Sequence, residues 1–214
     1  ITVDLTSADG TATGDDFVAA TGTLTFAPGS TSQSVTVTTK TDVLDEEDEV
    51  FYVNLSNPTN ASISVAQGTG SIVDDDATPS LSIDDVTVAE GNSGTTIATF
   101  TVSLSSLSGK TATVVYATSN GTATAGSDYT AASGQLTFLP GVTSQQISVT
   151  VLGDTTYESD ETFLVNLSVP TNATLSDSQG QGTITNDDPI SDQPDLMIKS
   201  SVDPDSAFGL NDTY

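Results

Sequence analysis

The sequence contains no cysteine and no histidine. The absence of cysteine excludes disulfides, thiol nucleophiles and zinc–thiolate sites. The absence of histidine removes the usual general base and the commonest transition-metal ligand. The sequence also has no Gly-x-Ser-x-Gly elbow and no phosphate-binding loop. We therefore expect a protein that is not an enzyme.

Basic residues are scarce as well. Lys and Arg total 3 against 29 Asp and Glu, which gives a net charge of −26. Because no basic patch can displace counterions from phosphates, we expect neither nucleic acid nor an anionic membrane surface as a partner. No apolar run approaches the roughly 20 residues of a membrane-spanning helix, so no membrane insertion is expected. No signal peptide is visible, and we expect a mature, processed or partial chain.

One block of sequence occurs twice. Gly22-Thr-Leu-Thr-Phe-Ala-Pro-Gly29 returns as Gly134-Gln-Leu-Thr-Phe-Leu-Pro-Gly141, and residues 48–56 return as 160–168, both at an offset of 112 residues. A fixed period of domain size indicates tandem copies of one unit that folds by itself. Ile1 aligns near Ala112, so copy 1 has no counterpart of residues 80–111.

The residue pattern is typical of strands. Thr, Val and Ile alternate, with Gly, Asn, Asp and Ser at the breaks, and segments 34–38, 96–104 and 146–151 all have a period of two. No segment has a helical stripe. We predict an all-β fold of tandem antiparallel, immunoglobulin-like β-sandwiches, the first copy lacking its N-terminal strand or strands. The expected core anchors are Phe26, Phe51, Phe138 and Phe163.

The repeat divides the chain into three parts. Residues 1–78 form the domain without its first strand (copy 1), and residues 79–189 form a complete domain (copy 2). Residues 190–214 form a tail with one expected strand, which is a candidate donor strand or the start of a further immunoglobulin-like domain. The tail segment Pro194-Asp-Leu-Met-Ile198 is similar to Pro79-Ser-Leu-Ser-Ile83, the start of copy 2.

Acidic residues recur at matched positions of the two copies, near strand ends and turns. Turns cluster at the two ends of a sandwich, so several carboxylates are expected to converge there. Each pair at about 4 Å costs roughly 1 kcal/mol in water-like surroundings and about 4 kcal/mol at an effective dielectric of 20. A hard divalent cation with six to eight oxygen ligands neutralises such a set, and calcium tolerates irregular loop geometry better than magnesium does. The competing interpretation is a solvated acidic surface that keeps the chain soluble.

These motifs resemble the Calx-beta repeat family, which occurs in regulatory domains of sodium–calcium exchangers and in bacterial surface proteins. The resemblance rests on Asp9-Gly-Thr-Ala-Thr-Gly-Asp-Asp-Phe17, on its counterpart 120–129, on Leu-Thr-Phe-x-Pro-Gly, on Asp-Glu-x-Phe, and on the closing segments 72–76 and 184–188. It implies a calcium-binding antiparallel sandwich with Ca²⁺ as the cofactor. The implied metal ligands are Glu90, Asp128, Asp154, Glu158, Asp187 and Asp188 in copy 2, and Asp16, Asp42, Glu46, Asp74, Asp75 and Asp76 in copy 1.

The sequence departs from the family pattern in both copies. Copy 2 has Gly153 and Asn186 where the exchanger-type sites have acids, which predicts fewer or more weakly bound ions. Copy 1 has no equivalent of Glu90 within this chain, and Thr41 stands at the position of Gly153. Either site is therefore expected to be partial.

Three explanations compete for the incomplete first copy. The chain is a fragment of a longer repeat protein, or copy 1 folds poorly, or a strand from another molecule completes it by strand addition. The third explanation makes copies of the chain its own partners in a head-to-tail polymer, because such a contact is heterologous and does not close.

The leading functional hypothesis is an extracellular or cell-surface calcium-binding protein with a structural or adhesive role, a subunit of a surface fibre assembled by strand complementation. One alternative is a fragment of a large monomeric bacterial adhesin or biofilm-matrix protein. Another is a calcium-sensing regulatory module. Glycans are a further candidate partner, and asparagine sequons occur at Asn54, Asn60, Asn120, Asn166, Asn172 and Asn211.

Overall fold

The computed structural model describes residues 1–190, and all regular structure in that range is strand. Copy 1 contributes six strands: β1 (Thr2–Asp9), β2 (Phe17–Val18), β3 (Thr21–Thr25), β4 (Thr38–Thr39), β5 (Glu49–Thr59) and β6 (Gln67–Ile72). Copy 2 contributes nine: β7 (Ser80–Ile83), β8 (Val86–Ala89), β9 (Gly94–Leu104), β10 (Ala112–Asn120), β11 (Ser133–Phe138), β12 (Ser144–Gly153), β13 (Glu161–Thr171), β14 (Thr174–Leu175) and β15 (Gln179–Thr185). The all-β prediction is confirmed. The expected tail strand lies outside the described residues.

Copy 2 is a two-sheet sandwich. One sheet has the order β11-β10-β13-β15-β8 and the other has the order β12-β9-β7-β14. Pairing is antiparallel except for β15 with β8 and β14 with β7, which are parallel. These two pairs qualify the expectation of purely antiparallel sheets, because the short strands β7 and β8 lie beside the last strands of the copy.

The core of copy 2 lies between its two sheets. Alternation along β9 buries Ala98, Phe100, Val102 and Leu104, as the sequence predicts. Phe163 stacks on Tyr129 with ring centroids 4.6 Å apart and meets Phe100 edge-on at 5.9 Å. Aromatic pairs in these arrangements add about 0.5–1.5 kcal/mol each beyond the area they bury.

Copy 1 has one of the two sheets. Its sheet has the order β3-β1-β5-β6, which matches β11-β10-β13-β15 of copy 2, and a two-stranded pair of β2 and β4 lies apart from it. Segment 34–38, predicted to be a strand, is unpaired except at Thr38. The prediction is wrong there because its counterpart β12 pairs along its whole length with β9, and copy 1 has no equivalent of β9 among the described residues.

The predicted core anchors differ between the copies for the same reason. Phe138 and Phe163 are fully buried, and Phe51 is 8% exposed and stacks on Phe17 at 4.9 Å. Phe26 is only half-buried, so it is not the core anchor that the sequence predicts. In copy 1 no second sheet covers that ring within residues 1–190.

No helix in residues 1–190 meets the length and apolarity needed to cross a membrane.

Candidate metal centre

Loops at one end of copy 2 carry the acidic residues. Glu90 follows β8, Asp128 lies in the turn after β10, Asp154 and Glu158 follow β12, and Asp188 follows β15. Burial raises the pKa of Glu90 most, and repulsion from Asp154, Glu158, Asp188 and Asp128 raises it further, so these five carboxylates lie close enough to interact. The convergence predicted from the sequence is therefore present for these five residues.

Backbone donors fix these loops, and the same bonds recur in both copies. The amide of Thr124 donates to Asp128 at 2.7 Å, and the amide of Thr13 donates to Asp16 at 2.6 Å. The amide of Thr156 donates to Asp154 at 2.6 Å. These short turns hold one oxygen of each carboxylate and leave the other available to a further partner.

The matched bonds include one to Asp42 of copy 1, the counterpart of Asp154. Leu44 donates its amide to Asp42 at 2.8 Å, just as Thr156 does to Asp154 in copy 2. The Asp42 and Asp154 turns have the same two-residue spacing, whereas the Asp16 and Asp128 turns span three and four residues and still make the same type of bond.

Glu90 is the most perturbed acid in this end of the molecule. Its side chain is 5% exposed, and burial raises its pKa to about 7, with further contributions from Asp154, Glu158 and other neighbours. Burial followed by repulsion from Asp128 and Asp154 raises the pKa of Glu158 as well. Both effects disfavour the ionised forms of Glu90 and Glu158. The charged carboxylates are therefore unfavourable here unless a proton or a cation neutralises them.

Asp188 carries two buried oxygens with no hydrogen-bond donor. The residue is 5% exposed, and neither Oδ1 nor Oδ2 has a partner among the described residues. Burial and repulsion from Asp187 and Asp154 raise its pKa. A buried polar atom without a partner costs about 1–3 kcal/mol, and more when it is charged, so it indicates an absent ligand such as an ion.

Asp187, also predicted as a ligand, faces a neighbouring turn. Its Oδ1 accepts from the amide of Gly91 at 3.0 Å and its Oδ2 from Asn92 at 3.5 Å. The carboxylate thereby ties the loop of Glu90 to the end of β15. Its predicted role as a ligand stays a prediction, and its observed contacts are with the two residues that follow Glu90.

Glu161 is an acid that the sequence reasoning did not assign as a ligand. Oxygens of Asp128, Glu158 and Glu161 lie within 4.8 Å of one another. Burial, then repulsion and hydrogen bonding with Asp128, raise the pKa of Glu161. Glu49, its equivalent in copy 1, has its pKa raised by burial and by Asp16. The repeated Asp-Glu-x-Phe motif contains both residues and could have identified them.

In copy 1 all six predicted ligands line one cavity of about 300 Å³. Burial raises the pKa of Glu46, and Asp42, Asp16, Asp74 and Asp76 raise it further. Burial and the adjacent Asp75 and Asp74 raise the pKa of Asp76. The lining acids are Asp16, Asp42, Glu46, Glu47, Glu49, Asp74, Asp75 and Asp76.

Gly153 and Asn186, the two positions where copy 2 departs from the acidic family pattern, have structural explanations. A Cβ atom at Gly153 would lie 2.1 Å from the carbonyl oxygen of Gly91, so an acidic side chain does not fit there. Asn186 accepts the amide of Glu158 at 3.0 Å, as Asp74 accepts the amide of Glu46 at 3.2 Å in copy 1. Asn186 thus retains the structural bond of Asp74 and removes one negative charge.

A basic residue of copy 2 contacts the acidic end of copy 1. Lys110 Nζ lies 3.0 Å from Asp45 and 3.8 Å from Asp74. Asp45 is 2% exposed and also accepts, through its carbonyl oxygen, the amide of Gly109 at 3.0 Å and the hydroxyl of Ser108 at 3.2 Å. The acidic end of copy 1 is therefore part of the contact between the copies.

The candidate metal ligands at the acidic ends of both copies suit a hard cation. All candidate side-chain ligands are carboxylates, and the sequence has neither histidine nor cysteine to favour a transition metal. The buried unpartnered oxygens of Asp188 supply the position that an ion would complete. Fold and site together define a tandem β-sandwich protein whose loop ends are lined with carboxylates.

The family profile described as Calx-beta domain matches residues 1–77 and 74–189. The chain therefore belongs to the Calx-beta domain family, as the sequence motifs indicate.

Several curated proteins are similar to this chain. The "Sodium/calcium exchanger Calx" of Drosophila melanogaster is 34% identical over 173 residues, which cover 78% of this chain and 18% of the exchanger. The "Sodium/calcium exchanger 1" of Canis lupus familiaris is 47% identical over 55 residues, which cover 26% of this chain and 6% of that protein. The "Sodium/calcium exchanger 2" of Rattus norvegicus is 29% identical over 187 residues, with 78% and 20% covered. The chain thus spans a fifth or less of these relatives.

Solved structures with similar folds include two from Calx. The Apo-form Calx CBD1 domain has a TM-score of 0.45 at 29% identity and covers 52% of this chain and 100% of its own. CBD12 from CALX1.2 has a TM-score of 0.42 at 26% identity and covers 86% of each chain.

Proposed function

We propose that this chain is a calcium-binding module in which each copy binds Ca²⁺ between the acidic loops, and that ion binding serves a regulatory, calcium-sensing role. The observation that carries the proposal is Asp188, whose two buried oxygens have no donor among the described residues while Glu90 and Asp154 crowd around it. A cation at this point replaces the missing donors and cancels the mutual repulsion.

Calcium suits the loops better than magnesium does. The acids come from four separate loops of irregular geometry, and calcium accepts six to eight oxygens at 2.3–2.6 Å, whereas magnesium requires near-octahedral placement. The residues that would hold the ion in copy 2 are Glu90, Asp128, Asp154, Glu158, Glu161 and Asp188. No catalytic step is assigned to this site.

A sensing role is supported by the contact between the copies. Asp74 belongs to the acidic lining of copy 1 and also lies 3.8 Å from Lys110 of copy 2. An ion bound by Asp74–Asp76 changes the charge that Lys110 meets, and these residues directly precede the short link 77–79. Calcium occupancy of copy 1 is thereby coupled to how firmly copy 2 is held against it.

A second candidate function is that of an extracellular or cell-surface structural protein, either a fibre subunit or part of a larger adhesin or biofilm-matrix protein. Within residues 1–190 copy 1 has one of the two sheets seen in copy 2, and strand addition from another molecule is one way to complete it. Calcium then stiffens the tandem domains, and glycans are candidate ligands or modifications. The exchangers' own transport activity is not carried over to a chain that spans a fifth or less of them.

Calorimetric titration of the full chain with Ca²⁺ tests the binding and separates the two roles. We expect saturable binding that Asp188→Asn weakens at least tenfold, because the amide loses one charge at the buried position. Asp177→Asn is the matched control, since Asp177 is exposed and lies beside β14, away from the acidic loops. Absence of saturable binding, or equal loss in both variants, would overturn the proposal.

The dissociation constant decides between the roles. Sensor sites bind at about 10⁻⁷–10⁻⁵ M and extracellular modules at about 10⁻⁴–10⁻³ M. A constant in the first range supports calcium sensing, and a constant in the second supports the structural role.

A further inference from the structure

We propose that Lys110 of copy 2 competes with calcium at the acidic end of copy 1, so that ion binding there and the contact between the copies oppose each other. The inference rests on the proposed function, because it requires copy 1 to bind Ca²⁺. It adds the direction of the coupling and the residue that produces it. Calcium affinity and the contact are measured separately, so a failure of the competition is distinguishable from a failure of calcium binding.

The ammonium group of Lys110 lies beside two carboxylates of copy 1. Its Nζ is 3.0 Å from Oδ1 of Asp45 and 3.8 Å from Oδ2 of Asp74. The side chain of Lys110 is 18% exposed and that of Asp45 is 2% exposed, so salt screens this group only in part. The hydrogen bond to Asp45 is the main cause that raises the pKa of Lys110, so the amine is charged at neutral pH. Copy 2 thus places one fixed positive charge at the acidic end of copy 1.

Asp74 is the carboxylate for which an ion and Lys110 would compete. It lines the cavity of copy 1, and its Oδ1 accepts the amide of Glu46 at 3.2 Å, while its Oδ2 faces Lys110. Calcium lies about 2.3–2.6 Å from a ligand oxygen. An ion on Oδ2 would therefore lie within about 6.4 Å of Nζ in any direction, which is less than the Debye length of about 8 Å at physiological salt. At this distance the two cations repel each other.

The loop that carries Lys110 also contacts a second candidate ligand. A Cβ atom at Gly109 would lie 2.8 Å from both Cγ and Oε1 of Glu46, so the Glu46 side chain packs directly on the backbone of Gly109. The amide of Gly109 donates to the carbonyl oxygen of Asp45 at 3.0 Å. Residues 109–110 of copy 2 therefore touch two predicted ligands of copy 1, Glu46 and Asp74.

The position that matches Asp74 is neutral in copy 2. Asn186 stands there, and its Oδ1 accepts the amide of Glu158 at 3.0 Å while its Nδ2 donates to the carbonyl oxygen of Asp188 at 2.9 Å. The bond that shapes the loop thus needs only a neutral acceptor. The negative charge of Asp74 therefore serves a cation, and among the described residues that cation is Lys110.

A second lysine lines the same cavity without this contact. Lys40 is one of the lining residues, but its Nζ donates to the carbonyl oxygen of Gly14, and it forms no ion pair with a carboxylate within residues 1–190. Lys40 therefore has the same charge beside the same acids and is not held on a candidate ligand. A comparison of the two lysines separates direct competition from a general effect of positive charge.

Competition acts in both directions. If Lys110 weakens calcium binding by a given factor, calcium weakens the Lys110 contact by the same factor, because the two equilibria are linked. Calcium binding at copy 1 therefore loosens copy 2 from copy 1. The sensing role thereby gains a direction, with a firm contact at low calcium and a freer copy 2 at high calcium.

Calorimetric titration of the full chain with Ca²⁺ tests the competition. The parent protein and its variants all carry Asp188→Asn, which weakens the site of copy 2, so the tighter binding belongs to copy 1. Lys110→Met should tighten that binding by at least about fivefold, Lys40→Met should have a clearly smaller effect, and Lys110→Arg should bind like the parent.

Two results of the titration would overturn the inference alone. One is equal tightening in Lys110→Met and Lys40→Met, and the other is an unchanged or weaker affinity in Lys110→Met. Absence of binding in the parent and in every variant would overturn the proposed function and this inference with it.

Amide hydrogen exchange measures the contact itself and needs no change at Lys110. The amide of Gly109 bonds across the contact to Asp45, whereas the amide of Thr118 bonds within copy 2 to Ala132 at 2.9 Å. In the parent protein, saturating calcium should speed the exchange of Gly109 several-fold and leave Thr118 unchanged. Slower or unchanged exchange of Gly109 would show that ion binding does not oppose the contact, and the competition would be wrong.

Discussion

At the scale of single residues, the site is defined by carboxylates that are costly to keep charged. Asp188 has no donor for either oxygen among the described residues, and burial raises the pKa of Glu90 to about 7. The sequence predicts which acids converge, because the copies repeat them at fixed spacing. The Asp-Glu-x-Phe motif marks Glu161 as a repeated acid, but only the folded structure shows that its oxygens lie within 4.8 Å of those of Asp128 and Glu158.

The raised pKa of Glu90 predicts a pH dependence for the calcium-free protein. Its pKa is about 7 in the folded chain against an ordinary value of 4.5, so between these pH values the folded state holds a proton that the unfolded state has lost. Stability of the calcium-free protein therefore falls as the pH rises from about 4.5 to about 7. Thermal melting in chelator across this range should show the fall.

The variant Glu90→Gln tests the assignment of that pH dependence. The amide does not titrate, so the fall in melting temperature should become smaller. Part of it should remain, because Glu158, Glu161 and Asp188 also have raised pKa values. An unchanged pH profile in the variant would show that Glu90 titrates normally.

Glu161 should act as a ligand in copy 2. Replacing it with glutamine removes one charge from the Asp128–Glu158–Glu161 cluster, so calcium affinity should fall by about tenfold, or roughly 1.4 kcal/mol. Titration calorimetry measures the change, with Asp177→Asn as the charge-matched control. Equal affinities in the wild type and Glu161→Gln would remove this residue from the site.

At the scale of elements, pairing partners decide whether an alternating segment becomes a strand. Residues 146–151 and 34–38 have the same alternating pattern, yet β12 is ten residues long and its counterpart in copy 1 is reduced to Thr38–Thr39. Local pattern predicted both segments as strands. The difference arises from β9, a non-local partner that copy 1 does not have among the described residues.

Strand β15 should not tolerate a side chain at Gly182. A Cβ atom there would lie 2.3 Å from the ring of Phe163, which is fully buried. Overpacking of this kind costs about 1–3 kcal/mol, so Gly182→Ala should lower the free energy of unfolding of copy 2 by that amount in chemical denaturation.

Gly22→Ala is the control for the same chemical change. Gly22 lies in strand β3 and has nothing within 4 Å of the added Cβ, so its effect should stay within about 0.5 kcal/mol. Equal free energies of unfolding for the two variants would contradict the close packing of Gly182 on the ring of Phe163.

At the scale of the whole molecule, the two copies contact each other through an ion pair between partly exposed Lys110 and buried Asp45 at the acidic end of copy 1. The repeat in the sequence predicts two domains and a short link, but it gives no sign of this contact. Lys110 lies in segment 105–111, for which residues 1–78 contain no counterpart to compare. The partners are 65 residues apart in the chain, so only the folded structure brings them together.

Lys110→Met should loosen the contact between the copies. It leaves the buried carboxylate of Asp45 without its cation, which costs about 1–3 kcal/mol or more for a charged group. Limited proteolysis at residues 77–79 should become faster. In Lys40→Met, which removes a lysine bonded to the carbonyl of Gly14 in an exposed position, the cleavage rate should not change.

The most direct test of the central claim is the melting temperature of the full chain, measured in chelator, in calcium, and in sodium chloride of the same ionic strength. If the acidic loop ends bind Ca²⁺, the melting temperature rises with calcium concentration as mass action requires, and far more than in sodium chloride. If equal ionic strength gives an equal rise, the carboxylates are merely screened, and the account of a specific metal centre is contradicted.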